Sequence, residues 1–340
     1  MKKHLLLFVL IATACNNNPN THTAAPPKQT YATIGSLEKL DPALDSIILP
    51  RAKAEIIAQD FDWSEGPLWI ESEKMLLISD VPRDTIFKWT EDKGKEVYLT
   101  PSGYTNTVKR GGEMGSNGLL RDANGRLILC QCGNRQMARM NGAIDNPLPE
   151  FVTLASSYKG KKFNSPNDAV YNGQGELFFT DPPYGLEKGM KDPNKEIAFQ
   201  GVYKVRTNGE VELMVDSLTR PNGIAFMPGD KTIIVANSDA AKPNWYAFDL
   251  DNNNRFTNAR IFYSAAGADK SLSGLPDGLK IDKKGNVFAT GPGGIWIFNK
   301  EGKVLGKYKV PGPASNCAFS ADEKTLYITN DMNVLRLKLR

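Results

Sequence analysis

Six times along this chain, a polar residue opens a short apolar strand, and a second apolar strand follows about a dozen residues later. The openings recur at intervals of 52, 50, 55, 55 and 39 residues. Repeats of about 40 to 55 residues that each contain several short strands are typical of a β-propeller, in which one repeat forms one blade. The six opening residues are Glu65, Asn117, Asn167, Asn222, Asp277 and Asn316.

The repeats predict an all-β fold, a six-bladed β-propeller with four-stranded blades. Turn signals such as Asn124-Gly125 and Asn208-Gly209 separate the strands. The sixth unit has room for only three strands before Arg340, whereas residues 54–58 form a strand that precedes the first unit. We therefore expect this N-terminal strand to close the last blade and remove a free sheet edge. A two-domain β protein is the alternative, and residues 34–45 are the one candidate helix.

The N-terminus carries a targeting signal. A basic start and an apolar run end at Ala12-Thr13-Ala14, a small-residue cleavage site directly before Cys15. The pattern resembles a bacterial lipoprotein signal, in which Cys15 is the lipid anchor, although Ala12 stands where such signals usually have Leu. Membrane attachment in the periplasm or cell envelope is the expected location, and secretion is the alternative if Cys15 is not lipidated.

The predicted domain organisation follows from this signal. Residues 1–14 are the signal peptide, and residues 15–50 contain the lipid-anchor cysteine, a disordered tether and a lead-in. The tether is assigned from the polar, proline-rich composition of residues 16–28. Residues 51–340 form the propeller.

Composition excludes several functions. The net charge is only +4 and no basic run occurs, so nucleic acid is not an expected partner, and no obligate protein partner is evident. Both histidines, His4 and His22, lie in the signal and the tether, so the folded domain has no histidine for a catalytic triad or a zinc site. We interpret the remaining cysteines, Cys130, Cys132 and Cys317, as free thiols, since Cys-Gln-Cys fits neither a disulfide nor a zinc site.

The six opening residues are expected to converge, because the first strand of each propeller blade lines the central channel. Carboxylate and amide oxygens are ligands that suit Ca²⁺, with Mg²⁺ or Mn²⁺ as alternatives and Zn²⁺ disfavoured by the lack of histidine. The predicted ligands are Glu65, Asn167, Asn222 and Asp277. Asn117 is either a ligand or a substrate contact, and Asn316 is the weakest candidate. The alternative is that these residues only form turns.

A second set of residues ends the second strands: Asp80, Cys132, Asp181, Asn237, Gly291 and Asn330. These residues should lie at another depth or radius of the channel. Asp181 begins the proline-stiffened segment Asp181-Pro182-Pro183-Tyr184, which forms either a substrate wall with Tyr184 or a rigid turn.

Several of these segments resemble the gluconolactonase branch of the regucalcin-like (senescence-marker-protein) lactonase family. The resemblance extends over about residues 60 to 335. It is carried by SEGPLW at 64–69, GGEMGSNGL at 111–119, NSPND at 164–168, TDPPYG at 180–185, RPNGIAF at 220–226, LPDGL at 275–279 and NCAF at 316–319.

The resemblance implies calcium-dependent hydrolysis of a sugar lactone to an aldonic acid. It gives Glu65, Asn222 and Asp277 as metal ligands, with Asp277 also the catalytic base, and Asn167 as a contact to metal or substrate. The candidate substrate contacts are Asn117, Asn167, Arg135 and Tyr184. One departure is Cys132, which stands where this family often has a histidine, and this places the substrate or the efficiency in question.

Two other functions are compatible with the same residues. A metal-activated water can attack phosphorus as well as carbonyl centres, so a phosphotriesterase or promiscuous esterase is one alternative. A non-catalytic, membrane-tethered binding propeller is the other, since a fold does not fix a function.

Overall fold

The computed structural model describes residues 30–340, and the predicted signal peptide, Cys15 and tether lie outside these residues. It is a six-bladed β-propeller of antiparallel sheets, which confirms the predicted fold. Three strands precede the first blade: β1 (Thr33–Ile34), β2 (Ser36–Lys39) and β3 (Ala54–Ala58). Residues 30–340 contain no helix that is long and apolar enough to cross a membrane.

The first three blades each have four strands in chain order from the channel outward. Blade 1 contains β4–β7 (Ser64–Ile70, Met75–Asp80, Thr85–Thr90 and Gly94–Leu99). Blade 2 contains β8–β11 (Ser116–Arg121, Leu127–Gln131, Gln136–Met140 and Phe151–Ala155). A small hairpin, β12 (Ser157–Tyr158) and β13 (Lys161–Lys162), precedes blade 3, which contains β14–β17 (Ala169–Tyr171, Leu177–Asp181, Gly201–Val205 and Val211–Val215).

The strands of the N-terminal segment join two of the last three blades, blades 5 and 6. Blade 4 contains β18–β21 (Pro221–Phe226, Thr232–Asn237, Asn244–Leu250 and Phe256–Ser264). Blade 5 contains β22–β25 (Leu279–Ile281, Val287–Gly291, Gly294–Phe298 and Val304–Lys309), with β2 added at its outer edge. Blade 6 contains β26–β28 (Asn316–Phe319, Thr325–Asn330 and Asn333–Lys338), followed by β3 and β1.

The ring closes as the sequence predicted. Strand β3 pairs antiparallel with β28, with Ala58 opposite Val334 and Ile56 opposite Leu335. Since β3 precedes blade 1 in the chain and completes blade 6 in space, it joins the two ends of the propeller. Within the described part of the chain, the innermost strands β4, β8, β14, β18, β22 and β26 each contact the next in a closed circle.

The lead-in contributes more structure than the sequence indicated. The expected helix over residues 34–45 is wrong, because this stretch forms β1 and β2 and then a short 3₁₀ helix (Pro42–Ser46). Leu44 and Ile48 are fully buried against blades 5 and 6, so the propeller begins upstream of residue 51. Tyr308 secures this segment, since its hydroxyl donates to Ile34 O at 2.8 Å and accepts from Ala54 N at 2.6 Å.

Apolar side chains of neighbouring blades pack face to face and hold the blades together. Trp245 of blade 4 packs on Trp296 and Phe298 of blade 5, with ring centroids 5.7 and 5.3 Å apart. Phe178 of blade 3 packs edge-on against Phe226 of blade 4 at 5.1 Å. Full burial of one such side chain stabilises the fold by roughly 1.5–3 kcal/mol, so the contacts between blades give the site a rigid frame.

Candidate active site

Five of the six opening residues line one pocket at the mouth of the channel, with a volume of about 370 Å³. Each comes from a different blade, and Glu65, Asn117, Asn167 and Asn222 are almost fully buried. The fifth residue, Asp277, is partly exposed, although its Oδ1 atom is buried. The structure therefore brings together all four predicted metal ligands and Asn117.

A glycine follows four of the six opening residues and lets neighbouring blades pack closely where these residues form a ring around the channel. A Cβ on Gly66 would lie less than 3.0 Å from the carbonyl oxygen of Asn117, and one on Gly223 would do the same at Asp277. The amide of Gly223 also donates to Asp277 O at 3.1 Å. Each glycine thus lets the backbone of the next blade approach, which a side chain would prevent.

The residues at the ends of the second strands hold the loops that lead into the ring. Asp181 accepts from the backbone amides of Asn164 and Ser165 at 2.8 and 2.6 Å, just before Asn167. Asn237 accepts from the amide of Arg220 at 2.7 Å, just before Asn222. These two residues of the second set therefore position the first through hydrogen bonds. Asp181 holds the turn, while Tyr184 of the same segment lines the pocket.

Within residues 30–340, the carboxylates of Glu65 and Asp277 have no cationic partner, and both lie in a poorly solvated environment. Burial raises the pKa of Glu65 to about 8, although a hydrogen bond from the Gly66 amide opposes the shift. Burial also raises the pKa of Asp277 well above its usual value, and the nearby charge of Glu65 adds to this effect. A buried pair of like charges is costly unless a positive charge lies between them.

The arrangement fits a hard cation. Asn117 Oδ1 and Asp277 Oδ1 are buried and have no hydrogen-bond partner within residues 30–340, a state that costs about 1–3 kcal/mol per atom. Asn222 donates through Nδ2 to Ser238 Oγ at 3.1 Å, which leaves its Oδ1 available. No three His, Cys, Asp or Glu side chains in this range are grouped to hold a metal, so a cation here would be held by two carboxylates together with amide oxygens.

Asn316, the weakest candidate, does not line this pocket. Its Oδ1 accepts from the backbone amide of Cys317 at 2.9 Å and from Lys280 Nζ at 3.4 Å, and its Nδ2 donates to Asp168 Oδ2 at 3.4 Å. Lys280 also lies 3.6 Å from Asp168 Oδ2. Asn316 is thus part of an ion-paired cluster in the channel, and its oxygen is already occupied.

Of the two predicted substrate contacts outside the ring of opening residues, Tyr184 lines the pocket and Arg135 does not. Tyr184 lines the pocket, and burial raises its pKa to about 12. Arg135 does not line it, because its guanidinium donates to the carbonyls of Phe163, Lys162 and Asn194. These bonds give Arg135 a structural role, so the structure corrects its assignment as a substrate contact.

Among the pocket residues to which the sequence assigned no role, four have polar side-chain atoms: Trp63, Glu113, Arg220 and Ser238. Burial raises the pKa of Glu113 to about 7. The guanidinium of Arg220 lies 5.8 Å from the Tyr184 ring centroid. Both residues occur in the motifs that carry the family resemblance, Glu113 four positions before Asn117 and Arg220 two positions before Asn222. Their nearness to the opening residues was therefore the signal that could have identified them.

Cys132, which stands where the family often has a histidine, does not line the pocket. Its Sγ donates to Pro166 O at 3.4 Å, and burial raises the pKa of the thiol, so it remains protonated. Cys130, Cys132 and Cys317 are all free and buried, as predicted. None of these three thiols is a candidate nucleophile.

Comparisons with known proteins agree with the fold. A family model described as the SMP-30/gluconolactonase/LRE-like region matches residues 63–331. The chain is 38% identical over 323 residues to a gluconolactonase from Zymomonas mobilis, covering 93% of this chain and 90% of that protein. It is similar to the structure of a gluconolactonase from Xanthomonas campestris (TM-score 0.77, 27% identity, 92% and 99% of the two chains). A calcium-binding regucalcin from Agrobacterium tumefaciens shares the fold (TM-score 0.65, 16% identity, 84% and 93%).

Proposed function

Because this chain belongs to the SMP-30/gluconolactonase/LRE-like family, we propose that it is a lactonase that opens a sugar lactone with the help of a bound calcium ion. The observation that carries the proposal is the convergence of Glu65, Asn167, Asn222 and Asp277 from four blades on one pocket. The unpartnered buried oxygens of Asn117 and Asp277 support a cation there. Oxygen-only ligands favour calcium over softer metals.

The residues of the pocket supply the other elements of an ester hydrolysis. A bound divalent cation would polarise the lactone carbonyl and lower the pKa of a nearby water. Asp277 accepts the proton of the attacking water, since a carboxylate has a second oxygen when the first contacts a cation. Asn117 and Tyr184 contact the substrate. The bond between the carbonyl carbon and the ring oxygen breaks, and the ring oxygen takes back the proton that Asp277 accepted and leaves as an alcohol, which gives an aldonic acid from an aldonolactone.

Acid release from a lactone tests the proposal directly. We expect the protein to release acid from glucono-δ-lactone in a pH-stat, to lose that activity with a chelator, and to regain it when calcium is restored. Activity on a phosphotriester but not on any lactone would support the esterase alternative instead. Ligand binding with no chelator-sensitive acid release would show a binding propeller and contradict the proposed function.

We also propose that the mature protein is a lipoprotein of the cell envelope, anchored through Cys15. The proposal rests on the signal-like residues 1–14 and on the cysteine that directly follows the small-residue site. Replacement of Cys15 by serine should move the protein from the membrane fraction to the soluble envelope fraction without changing its specific activity. A wild-type protein that is already soluble would indicate secretion.

A further inference from the structure

Two oppositely charged side chains in the pocket are not used by the proposed mechanism. Glu113 lies in the loop before β8 of blade 2, and Arg220 lies in the loop before β18 of blade 4. Both line the same pocket as the predicted metal ligands, and Tyr184 of blade 3 also lines it. Because each charged residue precedes its blade's ring residue, both belong to the loops that lead into the ring.

Neither charged group has a partner among the residues that the structure describes. Across residues 30–340, the Glu113 carboxylate and the Arg220 guanidinium make no hydrogen bond and no ion pair, including with each other. Neighbouring arginines differ, since Arg110 donates to Gly133 O and Gly185 O, and Arg135 donates to three carbonyls. Buried or partly buried polar groups normally have partners, so free groups that face a pocket indicate a polar ligand.

The position of Arg220 is nevertheless well defined. Its backbone amide donates to Asn237 Oδ1 at 2.7 Å, and its guanidinium lies 5.8 Å from the centroid of the Tyr184 ring. A cation over an aromatic face is held in place while its N–H groups stay free to donate. Arg220 is therefore a preorganised donor, with no acceptor within the described residues.

The charges of the pocket indicate an uncharged ligand. With the proposed divalent cation bound, the ionised carboxylates of Glu65, Glu113 and Asp277 would carry three negative charges, and the cation together with Arg220 would carry three positive charges. An anionic substrate would leave this buried site with an unbalanced negative charge. A hydroxyl group, in contrast, both accepts from an arginine and donates to a carboxylate, and a polyol offers several such groups.

We propose that Glu113 and Arg220 form a subsite for the hydroxyl groups of a neutral lactone and so make the enzyme selective for polyhydroxylated lactones. The inference rests on the proposed lactone hydrolysis and adds the residues that select the substrate. Arg220 donates to hydroxyl oxygens, Glu113 accepts from hydroxyl groups, and both act on the part of the substrate remote from the ester. A lactone without hydroxyl groups would leave the charged groups of this subsite unpaired in the complex. A site built to bind hydroxyl groups discriminates most effectively against substrates that lack them.

Two lactones with the same six-membered ring provide the test. Glucono-δ-lactone carries hydroxyl groups, whereas δ-valerolactone carries none. We expect Glu113→Gln and Arg220→Met each to lower kcat/KM on glucono-δ-lactone about ten- to a hundredfold, mainly through KM, since each removes a charged hydrogen bond. On δ-valerolactone both variants should stay within about twofold of the wild type, because no hydroxyl contact exists to be lost.

Two control variants carry the same types of substitution outside the pocket. Glu210→Gln and Arg255→Met change the same residue types at exposed positions outside the pocket and should behave as wild type on both lactones. An equal loss on both lactones, or a loss of calcium affinity, would overturn the hydroxyl subsite in favour of a structural or metal-site role. Unchanged kinetics on glucono-δ-lactone would overturn it as well.

Failure of the subsite and failure of the proposed function can be told apart. A wild type that opens δ-valerolactone in the presence of calcium, with variants that lose nothing on the hydroxylated lactone, keeps the lactonase and rejects the subsite. A wild type that opens neither lactone rejects the lactonase. In that case, calorimetric binding of sorbitol, a neutral polyol, supports the subsite if both variants weaken it and contradicts it if they do not.

Discussion

Replacement of Asp277 by asparagine should abolish lactone opening while leaving the fold intact. The substitution preserves the shape of the side chain, so the pocket should keep its packing. It removes the proton acceptor and one of the two predicted carboxylate ligands. General-base catalysis contributes about 10²–10⁴ to a rate, so kcat should fall by at least about a thousandfold when the loss of metal polarisation is added.

A calcium titration separates the two roles of Asp277. If the variant regains no activity at calcium concentrations that saturate binding by calorimetry, the proton acceptor is the missing function. If high calcium restores full activity, Asp277 is only a ligand and another group takes the proton. Asp92→Asn is the matched control, since Asp92 is exposed and does not line the pocket, and it should retain the wild-type rate.

The positions that could be predicted are those that recur in phase with the repeat. Glu65, Asn167, Asn222 and Asp277 each open the innermost strand of a blade, so the cyclic fold carries them to the same place around the axis. The same reasoning correctly placed β3 as the closing strand, because blade 6 lacked one strand and an unpaired edge would be unfavourable.

Residues outside this phase could not be placed from the sequence. Arg135 follows β9 in a turn where its backbone is left-handed, with φ of 60°, and its side chain reaches the carbonyls of a neighbouring loop. Glu113 and Arg220 lie in loops whose paths depend on tertiary contacts, so only their nearness in the chain to Asn117 and Asn222 indicated them as candidates. Asn316 is in phase with the repeat, but its side chain is not available to a ligand. Asp168 stands after Asn167, where most other blades have a glycine, and it forms an ion-paired cluster with Lys280 that includes Asn316.

The glycines next to the opening residues show why the polar ring needs more than the right ligands. Substitution of Gly223 by alanine should disrupt the site although no ligand is changed. The added Cβ would lie less than 3.0 Å from Asp277 O, Gly278 Cα and Leu279 N, all of which are backbone atoms. A flexible side chain could move away from the methyl group, but the inner strand of blade 5 cannot move without its blade.

We therefore expect Gly223→Ala to destabilise the protein by about 1–3 kcal/mol or more, the range for overpacking a tight interior. Calcium affinity should fall together with stability, because the clash separates Asn222 from Asp277. Thermal unfolding with and without calcium measures both effects, and the increase in Tm caused by calcium should shrink or vanish in the variant. Gly267→Ala is the control, since a Cβ there has no neighbour within 4 Å and should change neither quantity. A Gly223→Ala protein with wild-type stability and calcium affinity would mean that the blades are not in close contact at the ring, and the predicted donor geometry would then be wrong.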